Sequence, residues 1–304
     1  MRISSNVVFQ SGITRISELM SSQAKLQQQI ATGRKIQSPS DDPVGASRAL
    51  QIRHSSSIND QYALNRQTAA SNLVTEESTL ASVTNLLLSV KSAMVTAGNG
   101  GLSDTERSFL AMEMRGALDQ LIGLANTRDA AGNYIFAGYQ SQAPAFVKTA
   151  TGATYQGDSE QRLLQVGATR YMEIADSGAE IFTAGGNDIF QTLHTFAELL
   201  DTPITDAAAA AAFSAGLQAA QNSIDQGLET VLAARAMVGT RLNELEALEE
   251  FGQELSLQYA QALAGTEELD YAKALSEISQ QQIILEAAQK SFVKMSSMSL
   301  FNYF

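Results

Sequence analysis

Residues 271–294 read YAKALSEISQQQIILEAAQKSFVK, and their spacing decides how the chain is built. Tyr271, Ile278, Leu285 and Phe292 recur every seven residues, with Leu275, Gln282 and Gln289 on the adjoining row. No Gly or Pro interrupts them, so the stretch predicts a helix with one narrow seam held against a partner. The other end of the chain carries a matching pattern. Phe9, Ile16, Gln23 and Ile30 form one row there, and Gly12, Leu19, Leu26 and Gly33 the other. Gln-Gln-Gln occurs in both ends, at 27–29 and 280–282. Two thin amphipathic termini suit either assembly between copies or an ordinary helix pair within one chain, and the assembly reading makes Ile16, Leu19, Leu26, Ile30, Leu275, Ile278, Leu285 and Phe292 the candidate interface. The Gln layers weaken such a seam and help to select its register and partner.

The 304 residues include only four Pro and no Trp, and aromatic residues make up 7%. Long helices are the natural reading of a chain rich in Ala, Leu, Ser and Gln. With no cysteine there is neither a disulfide framework nor a thiolate nucleophile. Residues 1–66 hold eight Arg or Lys against four Asp or Glu. That net +4 leaves −16 for the remainder of a chain whose total is −12. A basic arm on an acidic body favours contacts between neighbouring copies. The cations are too dispersed, and too free of recognition motifs, to indicate nucleic acid. No membrane insertion is expected, and nothing near Ile3–Phe9 reads as a cleaved secretory signal.

Outward from the termini the pattern is nested. The first arm breaks at Gly33, and Pro39 and Pro43 forbid a helix between them. Ser40, Asp41 or Asp42 can cap the next helix, with Pro43 in its first turn. That helix is predicted from Val44 to about Ala97, with Leu73, Leu80, Val83, Leu87, Val90 and Met94 on its core face. Ser103 and Glu106 form a capping-box pattern for a helix to Arg128. Gly132–Gly138 reads as a strand, and β texture continues through Tyr155, residues 162–166 and 171–174 as far as Phe182. Helices resume at Asp188, stop before Pro203, and run again from Ala207 to Val238 and from Arg241 to Leu263. The seven-residue row then slips by two residues across 265–270, which marks a joint facing the one at 34–43. The expected division is arms at 1–38 and 268–304, a helical body at 39–131 and 187–267, and a small β domain at 132–186.

Ala31-Thr32-Gly33-Arg34-Lys35-Ile36, running into Pro39-Ser40-Asp41-Asp42-Pro43, resembles the N-terminal region of the flagellin family. Asn133–Tyr139, Asp270–Ala274 with Ser279–Gln282, and the ending Ser299–Phe304 are most similar to its hook–filament junction branch. The resemblance implies a mainly α, elongated, nested architecture of long helices, with terminal coiled-coil arms and a small inserted β domain. It implies a structural subunit of the bacterial flagellum, joining the hook through hook-associated protein 1 to the flagellin filament and forming a ring with itself. It further implies arms that order on polymerisation; the break and caps read above place their hinge at Gly33, Pro39, Asp41, Asp42 and Pro43. A cytosolic export chaperone would hold the C-terminal arm, and secretion would use the flagellar type III apparatus. The filament subunit, flagellin itself, is the alternative within the family.

No constellation for catalysis, metal or cofactor emerges. His54 and His194 lack companion ligands at metal spacing, and Gly98–Gly101 lacks the Lys-Ser/Thr of a phosphate loop. Glu244, Glu246, Glu249, Glu250 and Glu254 read as a solvated helix face. An outward β tip is expected to tolerate excision of residues 140–182.

Overall fold

The computed structural model describes residues 5–297; Arg2, Ile3 and the ending Ser299–Phe304 lie outside them. The chain is mainly α. Its long helices are α1 (Ser5–Thr32), α2 (Pro43–Ala97), α3 (Asp104–Ala125), α5 (Ile189–Asp201), α6 (Ala207–Glu267) and α7 (Tyr271–Ser297). A five-residue α4 (Gly178–Phe182) and two small hairpins complete the set. In one hairpin β1 (Phe146–Thr149) pairs antiparallel with β2 (Gly152–Tyr155), with Phe146 opposite Tyr155. In the other β3 (Leu163–Gln165) pairs with β4 (Tyr171–Glu173), with Leu164 opposite Met172.

Two compact units result, one made of the residues up to Ile58 and from Glu254 onward, the other of Asn59–Gln253. The second unit holds the main core. Leu73, Leu80, Val83, Leu87, Val90 and Met94 are buried on α2, as their spacing predicts. The Ser103 capping box forms: Glu106 N–H donates to Ser103 Oγ at 3.3 Å, and Ser103 N–H donates to Glu106 Oε2 at 2.7 Å. Asp188 caps α5 by accepting from Gln191 N–H at 3.0 Å. Part of α2 is long and apolar enough to cross a membrane by length and composition, but half of that window is buried inside the protein, as in a core helix.

Four expectations change. Gly132–Gly138 is not a strand. Beyond a single bridge between Arg128 and Tyr134 the segment turns, and Gly138 lies at φ +65°. Its Ile135, Phe136 and Ala137 are all buried in succession, so the run plugs the core instead of presenting one face of a sheet. The texture read as β up to Phe182 ends in α4, and the predicted helix to Arg128 stops at Ala125. Finally, α6 passes unbroken through Gly239. A Cβ at Gly239 would meet nothing within 4 Å, whereas two earlier glycines of α6 admit neighbours: a Cβ at Gly227 would stand 2.7 Å from Ile189, and one at Gly216 would stand 2.6 Å from Leu199. They are packing notches for α5, not stops.

Candidate assembly surface of the terminal helices

In the first unit α1 packs against α7. Gly12, Ile16, Leu19, Gln23 and Ile30 of α1 are half-buried, and Leu26 is buried. On α7 the half-buried or buried positions are Ala274, Ile278, Gln281, Leu285, Ala288, Gln289 and Phe292. Ile278, Leu285 and Phe292 of the leading row therefore lie where the period places them, whereas Tyr271 is 50% exposed. Of the adjoining row only Gln289 is half-buried. Leu275 is 52% exposed, and its place is taken by Ala274 at 2%.

The reason is geometric. Residues at 274, 281 and 288 flank the leading row on one side, and those at 275, 282 and 289 flank it on the other. Either choice makes a heptad. Two of the three residues on the first side are Ala, which lets α1 approach closely. The polar layer is consequently Gln281, not Gln282, which is exposed. Gln281 Nε2 donates to Ser22 Oγ at 3.2 Å, while its Oε1 is buried with no partner among the described residues. At the far end the Phe292 ring lies over Gly12, where a Cβ would stand 2.7 Å away, and it stacks on Phe9 at 5.0 Å between centroids. Alternation of three- and four-residue steps through 274, 278, 281, 285, 288 and 292 was the available signal for this seam.

The two joints lie against each other. Lys35 N–H donates to Glu267 O at 2.7 Å, Leu269 N–H donates to Gly33 O at 3.0 Å, and Arg53 pairs with Glu267 at 2.5 Å. Gly33 ends α1 at φ +70°, a conformation that costs a residue with a Cβ far more. Pro39 sits in an exposed turn, and Pro43 opens α2. The adjacent acids divide their labour. Asp42 caps α2 by accepting from Gly45 N–H at 2.9 Å. Asp41 Oδ2 instead accepts from Gln37 and Ser38 N–H at 3.2 and 3.0 Å, and its Oδ1 meets Lys25 of α1 at 2.6 Å. Ser40 joins Ser38 by a hydroxyl contact and takes no part in the cap.

The Lys25 ammonium, followed by the N–H donors of Ser38 and Gln37, pulls the Asp41 carboxyl from its ordinary 3.8 down to about 2. Because the folded value is depressed, the stabilisation is present above the ordinary value and is lost as pH falls toward 2. Amide protection of Gln37 and Ser38 should therefore drop over that acid window, and Asp41→Asn should remove both the drop and part of the protection at neutral pH. Unaltered protection in the variant would disprove this role.

Around the seam the terminal helices keep apolar side chains in solvent. Phe9, Ile13 and Met20 of α1 are exposed, as are Leu275, Ile283 and Val293 of α7, with Ile283 at 70%. The terminal helices thus form a pair with a half-buried seam and apolar flanks. Residues 3–141 match the family described as the bacterial flagellin N-terminal helical region. The chain is 35% identical to flagellar hook-associated protein 3 of Salmonella typhimurium over 99% of both chains. Flagellin of Bacillus subtilis is 26% identical over 95% of this chain and 94% of its own. The crystal structure of flagellar hook-associated protein 3 from Legionella pneumophila has the same fold, with a TM-score of 0.65 over 75% of this chain and 99% of that one at 21% identity. The chain belongs to the flagellar hook-associated protein 3 family.

Proposed function

We propose that this chain is the junction subunit between hook and filament, with its α1–α7 pair as the polymerising element. In this reading hook-associated protein 1 lies on one side and flagellin on the other, and copies of the chain form the ring between them. The boundaries of the arms fall at the joints near residues 38 and 268. Secretion proceeds through the flagellar type III apparatus after a cytosolic chaperone has held the C-terminal arm. No catalytic step is assigned. The observation that carries the reading is the apolar surface left on both sides of the α1–α7 seam. Ile283 stays 70% exposed on α7, a helix whose Gln layer and small residues give little stability alone. Such helices gain their order from neighbours in an assembly.

The higher identity to hook-associated protein 3 than to flagellin favours the junction over the filament subunit. Deletion of residues 271–304, or Leu285→Asp, is expected to leave the Asn59–Gln253 unit folded and to release flagellin into the medium unattached. Sheared flagella from the wild type should contain the chain. Its absence there, or normal filament attachment with the truncated form, would sink the reading. Amide exchange on the free subunit then tests whether α1 and α7 order only on assembly.

A further inference from the structure

The charge asymmetry of the sequence has a counterpart in two surfaces. Between α2 and α6, within the Asn59–Gln253 unit, lies an open cleft of about 770 Å³. Ala63, Leu64 and Leu242 give it an apolar floor, and Leu64 is 60% exposed. Its lips are acidic, with Asp60 on α2 and Glu246 and Glu250 on α6. Glu249 beside them is engaged by Arg66 at 2.7 Å, but none of the three lip carboxylates is in an ion pair among the described residues. In the other unit, the side chains of Arg34, Lys35 and Arg48 are likewise exposed and without an ion pair among the described residues. Neighbouring cations there are already occupied, Lys25 by Asp41 and Arg53 by Glu267. Val44, four residues before Arg48 and on the same face of α2, is 79% exposed.

We propose that these surfaces mate between copies: the acidic cleft of one chain receives the Val44–Arg48 face of the next. Val44 covers Leu64, while Arg48 lies between the lips with Arg34 and Lys35 at the rim. A cleft of this sign rejects most of a chain that carries −12, and residues 1–66, at net +4, hold its largest cationic surplus. That surplus makes them the favoured occupant from a second copy. Cleft and knob are different surfaces, so the contact is heterologous and propagates into a ring or helix, not a closed pair. The inference rests on the assembly reading above and supplies it with a lateral contact separate from the α1–α7 seam.

Sedimentation of the full chain at about 20 mM and about 500 mM salt tests it. Self-association should weaken with salt. The pair Glu246→Lys with Glu250→Lys, and separately Arg48→Glu, should each weaken it about tenfold or more at low salt. Combining all three should restore it to within about threefold of the wild type. Unchanged melting would show that the variants fold. A chain that stays monomeric at both salt concentrations, or that ignores the single reversals, overturns the proposal. Reversals that weaken association without rescue in combination also overturn it, because they place a different basic partner in the cleft. If the reversed variants enter flagella normally while the wild type is found there, the contact is wrong and the junction reading stands. Absence of the wild type from flagella refutes that reading whatever the sedimentation shows.

Discussion

Glu76→Gln is expected to raise the melting temperature of the Asn59–Gln253 unit by about 5–10 °C near pH 9 and to change it little near pH 5. Glu76 lies on α2 with 1% of its surface exposed. Its Oε1 accepts the N–H of Asp176 at 3.2 Å, and Asp176 is itself buried. From α6, Arg241 donates to Asp176 Oδ1 at 2.8 Å and reaches Glu173 of β4 with its other nitrogen. Arg162 also faces the site, held beside Asp129 at 4.0 Å. The next cation on α6, Arg235, is taken by Glu77. Three carboxylates thus converge on Arg241, and Glu76 Oε2 and Asp176 Oδ2 are left buried with no partner among the described residues.

Burial, then the neighbouring Asp176 carboxylate, pushes Glu76 from its ordinary 4.5 up to about 8. The folded chain therefore keeps a proton that the unfolded chain releases above 4.5. Between those two values the folded state binds more protons, so stability falls as pH rises and levels off above about 8. A displacement of that size corresponds to about 3–5 kcal/mol. Glutamine keeps the acceptor for the Asp176 N–H and cannot ionise, so it removes this slope. The comparison of the two proteins isolates Glu76 from every other titration. A wild-type melting temperature that is flat over the window, or a variant with the same decline, would refute the assignment.

How much of this was legible in the sequence depends on the range of the interaction. Ser103 with Glu106 and the α2 core row act within one or two turns, and each occurs where spacing places it. The terminal seam was half legible: the period named Ile278, Leu285 and Phe292, but it could not choose between the rows through Ala274 and Leu275. That choice is made by how closely the partner helix approaches. The acidic run on α6 is only partly the solvated face that its spacing suggests. Glu249 binds Arg66 and Glu244 binds Arg170, across 183 and 74 positions of sequence. Gly252 carries the same lesson, because a Cβ there would meet Arg66 Nη2 at 2.2 Å. Nothing in a linear pattern announces such partners. The Tyr-Ile-Phe run of 134–136 has the composition of a strand, and only its three-sided burial shows that it is a plug.

That plug reverses the expected tolerance of the inserted segment. Phe182→Ala is expected to cost the Asn59–Gln253 unit about 3–5 kcal/mol, and excision of residues 140–182 to abolish its fold. Phe182 is fully buried, with the edges of Phe136 and Phe146 at 5.4 and 5.5 Å between centroids. Phe190, on α5, completes the cluster at 5.7 Å from Phe182 and 4.7 Å from Phe146. Such pairs add about 0.5–1.5 kcal/mol each beyond the area they bury. The cluster belongs to the same core as Leu73 and Leu80 of α2 and Val231 of α6, so the hairpins are not a detachable tip. Backbone bonds lock the arrangement: Gly178 N–H donates to Phe136 O at 2.9 Å, and the Tyr155 hydroxyl donates to Asp158 O at 2.6 Å. Phe182→Leu, which keeps most of the volume, should cost about 1–1.5 kcal/mol. Urea midpoints of the three variants against the wild type provide the measurement. An excised chain that unfolds at the wild-type midpoint would show instead that the helices form their core without the insertion. The volume left by Phe146 and Phe182 would then have to be filled from elsewhere, and outside this cluster the described aromatic residue of the unit at 0% or 1% exposure is Phe196 on α5.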